Sequence, residues 1–221
     1  KKFWKYLMNK EFFTRLWSSL IVLPIALFFI IKGSIFFNFF VIIILLITLY
    51  EWHFLSLNKA YYLPGFIFII ISFYTFFLLR HEGDYRFFLL ILLICIATDI
   101  GGYIFGKILK GPKLTKISPN KTYAGMFGSF ILSIIFATVY FNNLSNLSLP
   151  ELNGEIGIQI MLIILSISFF SQLGDLVISF FKRKSKIKNT GKIIPGHGGL
   201  LDRIDGMIFA FPYAFILMKI I

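Results

Sequence analysis

The sequence predicts an all-α membrane protein: a polytopic helix bundle with about seven transmembrane helices, amino end inside and carboxyl end outside. Three observations carry that expectation. Only 14% of the 221 residues are charged while 58% are hydrophobic, whereas soluble domains carry about 25% charged residues. Mean hydropathy is +0.85. The apolar residues fall in charge-poor runs near the roughly 20 residues that a helix needs to cross hydrocarbon. At this length one domain, residues 1–221, is expected.

Residues 1–15 are basic and aromatic, suited to a headgroup interface with Trp4 and Tyr6 as anchors. Apolar runs follow at 16–31, 33–50 and 60–79. The first is too long for a signal-peptide core and lacks a small-residue cleavage pattern, so it reads as a retained span. The fourth run begins at Phe87 and continues past Asp99 to Gly106, the fifth lies within 122–140, and the sixth covers 157–179. Residues 142–155 read as a polar outer loop, and the seventh run starts at Met207. With the amino end inside, 18 of the 22 Lys and Arg fall in inner segments; only Lys32, Arg80, Arg86 and Lys219 fall outside. That is the asymmetry of a membrane protein with basic cytoplasmic loops. It accounts for the net charge of +12 without a nucleic-acid partner. Two basic loops, 107–121 and 182–203, then face the cytoplasm together. The abundance of Ile, Phe, Lys and Asn suggests an AT-rich genome, hence a bacterial cytoplasmic membrane. His53 and His81 fall at opposite membrane edges. Cys95, the only cysteine, lies in an apolar run and reads as a small buried hydrophobe, with no disulfide framework.

The residues able to do chemistry cluster at the inner ends of the runs. Asp175 follows nineteen uncharged residues, and an ionisable group at that depth is by default a functional candidate. On one helix, Asp175, Ser179, Lys182 and Arg183 occupy positions i, i+4, i+7 and i+8 and share a stripe. A carboxylate leading to two cations suits a metal ion with phosphates attached; the plainer account is an ion pair from Asp175 to Lys182 or Arg183. Asp202 and Asp205 stand at i and i+3 where the last helix begins, a place that also favours Asp as a cap. Before them lies Pro195-Gly196-His197-Gly198-Gly199. Three glycines in four positions let backbone N–H groups converge on an anion, and an adjacent helix start adds positive potential. Hard carboxylate ligands imply Mg²⁺ rather than zinc, and His197 reads as a phosphate contact or proton carrier. In the other loop, Asp99 is a second intramembrane acid, and Gly102 and Gly106 are spaced for helix packing. Ser118, Lys121 and Thr122 read equally as a helix cap or a phosphate site.

The stretch from Ser179 to Asp205, SFFKRKSKIKNTGKIIPGHGGLLDRID, resembles the signature of the phosphatidate cytidylyltransferases (CDP-diacylglycerol synthases). Supporting similarities are Arg15 with Pro24, Tyr50-Glu51-Trp52, Asp99 to Gly106, Ser118-Pro119 with Lys121, Thr122 and Gly125, and Gly174-Asp175-Leu176. The sequence departs from the family where Ile178 replaces Glu, Asn189 replaces Asp, and Tyr123-Ala124 replaces Trp-Glu. The resemblance implies the reaction of CTP with phosphatidate to give CDP-diacylglycerol and pyrophosphate. It marks Asp175 and Asp202 as holding Mg²⁺, with or without a second, monovalent cation. Lys182, Arg183, Lys188 and Arg203 would then balance phosphate charge, Gly196, Gly198 and Gly199 would donate N–H groups, and Ser118, Lys121, Thr122, Ser179, Asp99 and Asp205 would complete the substrate site. CTP, phosphatidate and the bilayer are the implied partners; a homodimer is left open. Two rivals were weighed. A CDP-alcohol phosphotransferase needs a D-G…A-R…G…D…D pattern that is absent here. An ion or proton transporter built on Asp99 and Asp175 leaves the glycine-rich cationic loop without a role.

Overall fold

A computed structural model of the chain describes residues 10–115, 118, 121–143, 157–191, 193 and 198–220, the side chains of residues 10–20 apart. The interfacial stretch before Lys10, most of the outer loop, and Gly196 and His197 lie outside the described residues. The helices are α1 (Lys10–Lys32), α2 (Ser34–Ser56), α3 (Tyr62–Glu82), α4 (Tyr85–Leu109), α5 (Tyr123–Asn143), α6 (Ile158–Lys184), the four-residue α7 (Leu201–Ile204) and α8 (Met207–Ile220). Among the described residues there is no strand; an isolated bridge between Lys113 and Thr122 closes the loop from α4 to α5.

Helices α2 to α6 are long and apolar enough to cross a membrane, and α8 and the Ile21–Lys32 part of α1 are shorter apolar helices. Large apolar side chains such as Phe39, Leu46, Ile67 and Tyr74 stay exposed on the outer faces of α2 and α3. Lipid is their solvent, and the chain is an integral membrane protein. All seven predicted runs coincide with helices. The largest carboxyl-terminal extensions beyond them are in α2, which continues to Ser56, and α6, which continues to Lys184. Charge did not end α2 because Glu51 and Trp52 turn inward and are buried. In α6 the extra turn carries Lys182 into the protein and Arg183 and Lys184 out to solvent.

Helix α4 packs most closely on α5, while α6 packs on α8 and α8 on α3. Lipid tails are as apolar as Leu, so helices associate through close backbone approach and polar bonds across the interface. The α4–α5 seam shows both. A methyl on Gly101 would lie 2.5 Å from the Gly128 carbonyl oxygen and 2.8 Å from Ser129 Cα; one on Gly125 would lie 2.8 Å from the Gly102 oxygen. Ser129 Oγ donates to the Thr98 carbonyl at 2.7 Å, and the Thr98 and Ser168 hydroxyls bond at 2.8 Å, tying α4 to α5 and α6. The predicted packing role of Gly102 and Gly106 holds: their added methyls would meet Ser129 Oγ on α5 and Thr122 Oγ1 just before it. Gly101→Ala should therefore destabilise the purified protein by about 1–3 kcal/mol through overpacking, read as a lowered Tm in detergent. An unchanged Tm would mean that the seam can open without loss.

Candidate active site

Helices α4, α5 and α6 meet the α7 segment around a cavity of about 330 Å³. Their sequences place polar residues on the facing sides. Helix α4 contributes Asp99, α6 contributes Asp175, and the α7 segment contributes Asp202, Arg203 and Asp205. Lys121 and Thr122 enter from the turn before α5. Five of the predicted residues outside the glycine loop thus reach one cavity with Asp202 and Asp205, although they come from four separate parts of the chain.

The acids are held differently. Asp175 keeps about a third of its side chain accessible and pairs through Oδ2 with the Lys121 ammonium. Ser179, one turn on, donates to its Oδ1 at 3.3 Å. The stripe expected on α6 therefore begins as predicted, but the cation that meets Asp175 comes from the other loop. Lys182 instead donates to Asp202 Oδ1 at 2.8 Å and lies 3.8 Å from Asp205 Oδ2. It is buried, and it neutralises two carboxylates that would otherwise face each other across low dielectric. Asp205 also accepts from the Gly206 N–H at 2.9 Å through Oδ1. Burial pushes its carboxyl well above the usual carboxylate range, with Asp175 adding to the rise and Lys182 opposing it.

In the glycine-rich loop four N–H groups, those of Thr190, Gly199, Leu200 and Leu201, donate to the protein's own carboxylates. Asp202 Oδ2 accepts from Thr190 N at 2.9 Å and Gly199 N at 3.0 Å. Glu51, buried at the end of α2, accepts from Leu200 N, Leu201 N and the Thr190 hydroxyl, each at 2.8 Å. Glycine is needed here for close approach. A methyl on Gly199 would collide with Thr190 Oγ1 and Glu51 Oε2, and one on Gly191 would lie 2.6 Å from Glu51 Oε1. Gly198 adopts φ +90 beside Asp202. Loop and acids thus form one unit: Glu51 and Asp202 between them hold Thr190 at one side of the loop and Gly199, Leu200 and Leu201 at the other.

The remaining predicted residues sit apart. Arg183 is exposed, with its guanidinium 3.4 Å from the Ile187 carbonyl at the end of its own helix. Lys188 is exposed and lies outside the cavity wall. Thr122 Oγ1 accepts from Gly125 N at 3.1 Å, so it caps α5 while also facing the cavity. Ser118 is held by Thr115 Oγ1 at 3.2 Å and does not line the cavity. Sequence reasoning gave Glu51 no role. The signal was an acid at the end of an apolar run, the same one that singled out Asp175. His53 bonds to Tyr62 and His81 to Asn38, away from the cavity.

Comparison with known proteins accords with this geometry. The profile of the cytidylyltransferase family matches residues 60–221. A Staphylococcus epidermidis protein named phosphatidate cytidylyltransferase is 38% identical over 189 residues, covering 85% of this chain and 69% of the relative. Proteins of the same name from Bacillus subtilis (37% over 157 residues, 70% of this chain and 56% of the relative) and Staphylococcus aureus (39% over 165 residues, 73% and 60%) are also similar. The chain thus spans between just over half and about two thirds of the length of these relatives. Those matches show that this integral membrane bundle belongs to the cytidylyltransferase family of nucleotidyltransferases.

Proposed function

We propose that the chain catalyses the reaction of CTP with phosphatidate to give CDP-diacylglycerol and pyrophosphate, at the cavity between α4, α5, α6 and α7. The observation that carries this reading is the meeting of Asp99, Asp175, Asp202 and Asp205 with Lys121 and Arg203 around one polar opening in an otherwise apolar bundle. The lipid phosphate attacks the α-phosphorus of CTP in line, a new P–O bond forms, and the bond to the departing pyrophosphate breaks. A phosphate monoester is already an anionic nucleophile at neutral pH, so no strong general base is required. Both reactants are anions. Alignment and charge neutralisation therefore carry most of the rate enhancement.

The donor set fits Mg²⁺. It consists of hard carboxylate oxygens, and among the described residues no three acidic, His or Cys groups form a closed metal centre. Mg²⁺ is ordinarily held by one or two carboxylates and completed by substrate phosphate and water. Asp175 is the better placed ligand, since among the described residues its hydrogen-bond and ion-pair partners are Ser179 and Lys121 alone. Asp202 is more crowded, with Lys182, Thr190 N and Gly199 N on its two oxygens, and offers fewer lone pairs. Bound there, Mg²⁺ would neutralise triphosphate charge and favour departure of pyrophosphate. Lys121 and Arg203 would balance phosphate charge directly. Lys182 serves by keeping Asp202 and Asp205 in place. With the amino end inside, the cavity opens to the cytoplasm, where CTP is, and the lipid tails lie between helices.

Pyrophosphate release by the purified chain tests the reading. It should require CTP, phosphatidate and Mg²⁺ together and vanish when any one is omitted. Release from CTP without lipid would identify a nucleotide hydrolase instead.

A further inference from the structure

The cavity wall holds one polar group that the reaction so far leaves idle. Gln172 lies on α6 three residues before Asp175 and lines the same cavity. Its side-chain Nε2 is buried with no hydrogen-bond partner among the described residues. Buried polar groups are nearly always paired, so an orphan on a cavity wall calls for an explanation. Positions i and i+3 share a helix face, so the carboxamide and the Asp175 carboxylate enter the cavity side by side. Two nearby cations already pair with acids, Lys121 with Asp175 and Lys182 with Asp202, while Arg203 lines the cavity as well. A neutral donor cannot be drawn into such an ion pair. It stays available for an oxygen that arrives later.

We propose that Gln172 is a substrate-binding residue whose amide N–H donates to a non-bridging phosphate oxygen. This rests on the nucleotidyltransferase reading, in which both reactants bring phosphate oxygens to the cavity. The amide is unsatisfied only while the cavity holds no phosphate. A side chain kept for binding, at the expense of stability, has a distinct signature. Replacing an orphan donor with an apolar group of similar size is neutral or stabilising, whereas removing a hydrogen bond to a charged ligand weakens binding.

The test compares wild type with Gln172→Leu and Gln172→Met in detergent, by Tm and by pyrophosphate-release kinetics. Expected are a Tm that holds or rises, and a kcat/KM roughly 10- to 100-fold lower in both variants. A raised KM for CTP alone places the contact on the nucleotide. A raised KM for phosphatidate alone places it on the lipid phosphate, and a lowered kcat with both KM values kept places it in the transition state. Kinetics within twofold of wild type would overturn the proposal, since water then satisfies the amide. A Tm that falls in both variants would overturn it too, by making Gln172 structural. A binding readout separates this inference from the reaction itself. The rise in Tm caused by CTP with Mg²⁺, or by short-chain phosphatidate, should shrink in the variants even if wild type shows no turnover. Equal ligand-induced shifts in wild type and variants would overturn it.

Discussion

Asp175→Asn should abolish pyrophosphate release while leaving the protein folded. Asn has the same shape and can still accept from Ser179, but it loses the charge that faces the cavity and pairs with Lys121. That ion pair is partly accessible on both sides, and such pairs contribute about 0–1 kcal/mol. The Tm should therefore barely move. Activity should fall by more than the 10- to 100-fold typical of groups that only support a metal ligand, because Asp175 is assigned as the ligand itself. Residual activity above about a tenth of wild type, at saturating Mg²⁺, would place the metal elsewhere. A second reading of the same variant concerns Mg²⁺: where any activity remains, its Mg²⁺ requirement should move to higher concentration.

Glu51→Ala should have the largest effect on stability. The substitution leaves the N–H groups of Leu200 and Leu201 and the Thr190 hydroxyl without their shared acceptor. Each buried, unsatisfied group costs about 1–3 kcal/mol, and hydrogen bonds to a carboxylate are stronger than neutral ones. A loss of about 3 kcal/mol or more is expected, seen as a marked drop in Tm in detergent. Because Asp202 grips the same loop at Thr190 and Gly199, activity should fall further than the Tm alone explains. Glu51→Gln keeps the shape and one acceptor oxygen but turns a donor toward a donor. It should lie between wild type and Ala in both measurements. A Glu51→Ala protein with wild-type Tm and activity would mean that the loop is held by other contacts.

These two residues mark what was legible in the sequence. The helices were, because each apolar run is long, charge-poor and bounded by charges, and lipid imposes that pattern on any spanning helix. Asp175 was legible for the same reason: an acid in hydrocarbon needs a cause. The direction of a side chain around a helix end was not. Lys182 and Arg183 are neighbours on the predicted stripe, yet one is buried between two aspartates and the other is exposed. A hundred degrees of helical turn separates them, and only the position of α7 decides which faces inward. Glu51 was missed because its partners lie 139 to 150 residues away. Glycine content announces that a loop can bind an anion, but not which anion. In this chain the loop takes carboxylates of its own. Gln172 carried no signal at all, being an uncharged residue in an apolar run; its meaning depends on the cavity it faces. At Ile178, where the resemblance implied a Glu, the side chain is packed in the apolar core, so this position contributes no charge to the cavity.

The most direct measurement follows the phosphorus. The purified chain is incubated with phosphatidate, Mg²⁺ and CTP labelled at the α-phosphorus, and, in parallel, with CTP labelled at the γ-phosphorus. The α label should pass into the lipid-extractable fraction and the γ label should stay in water as pyrophosphate, with both transfers lost in Asp175→Asn. An α label that remains in water beside folded, lipid-loaded wild-type protein would contradict attack of the lipid phosphate at the α-phosphorus and, with it, the assignment of this cavity.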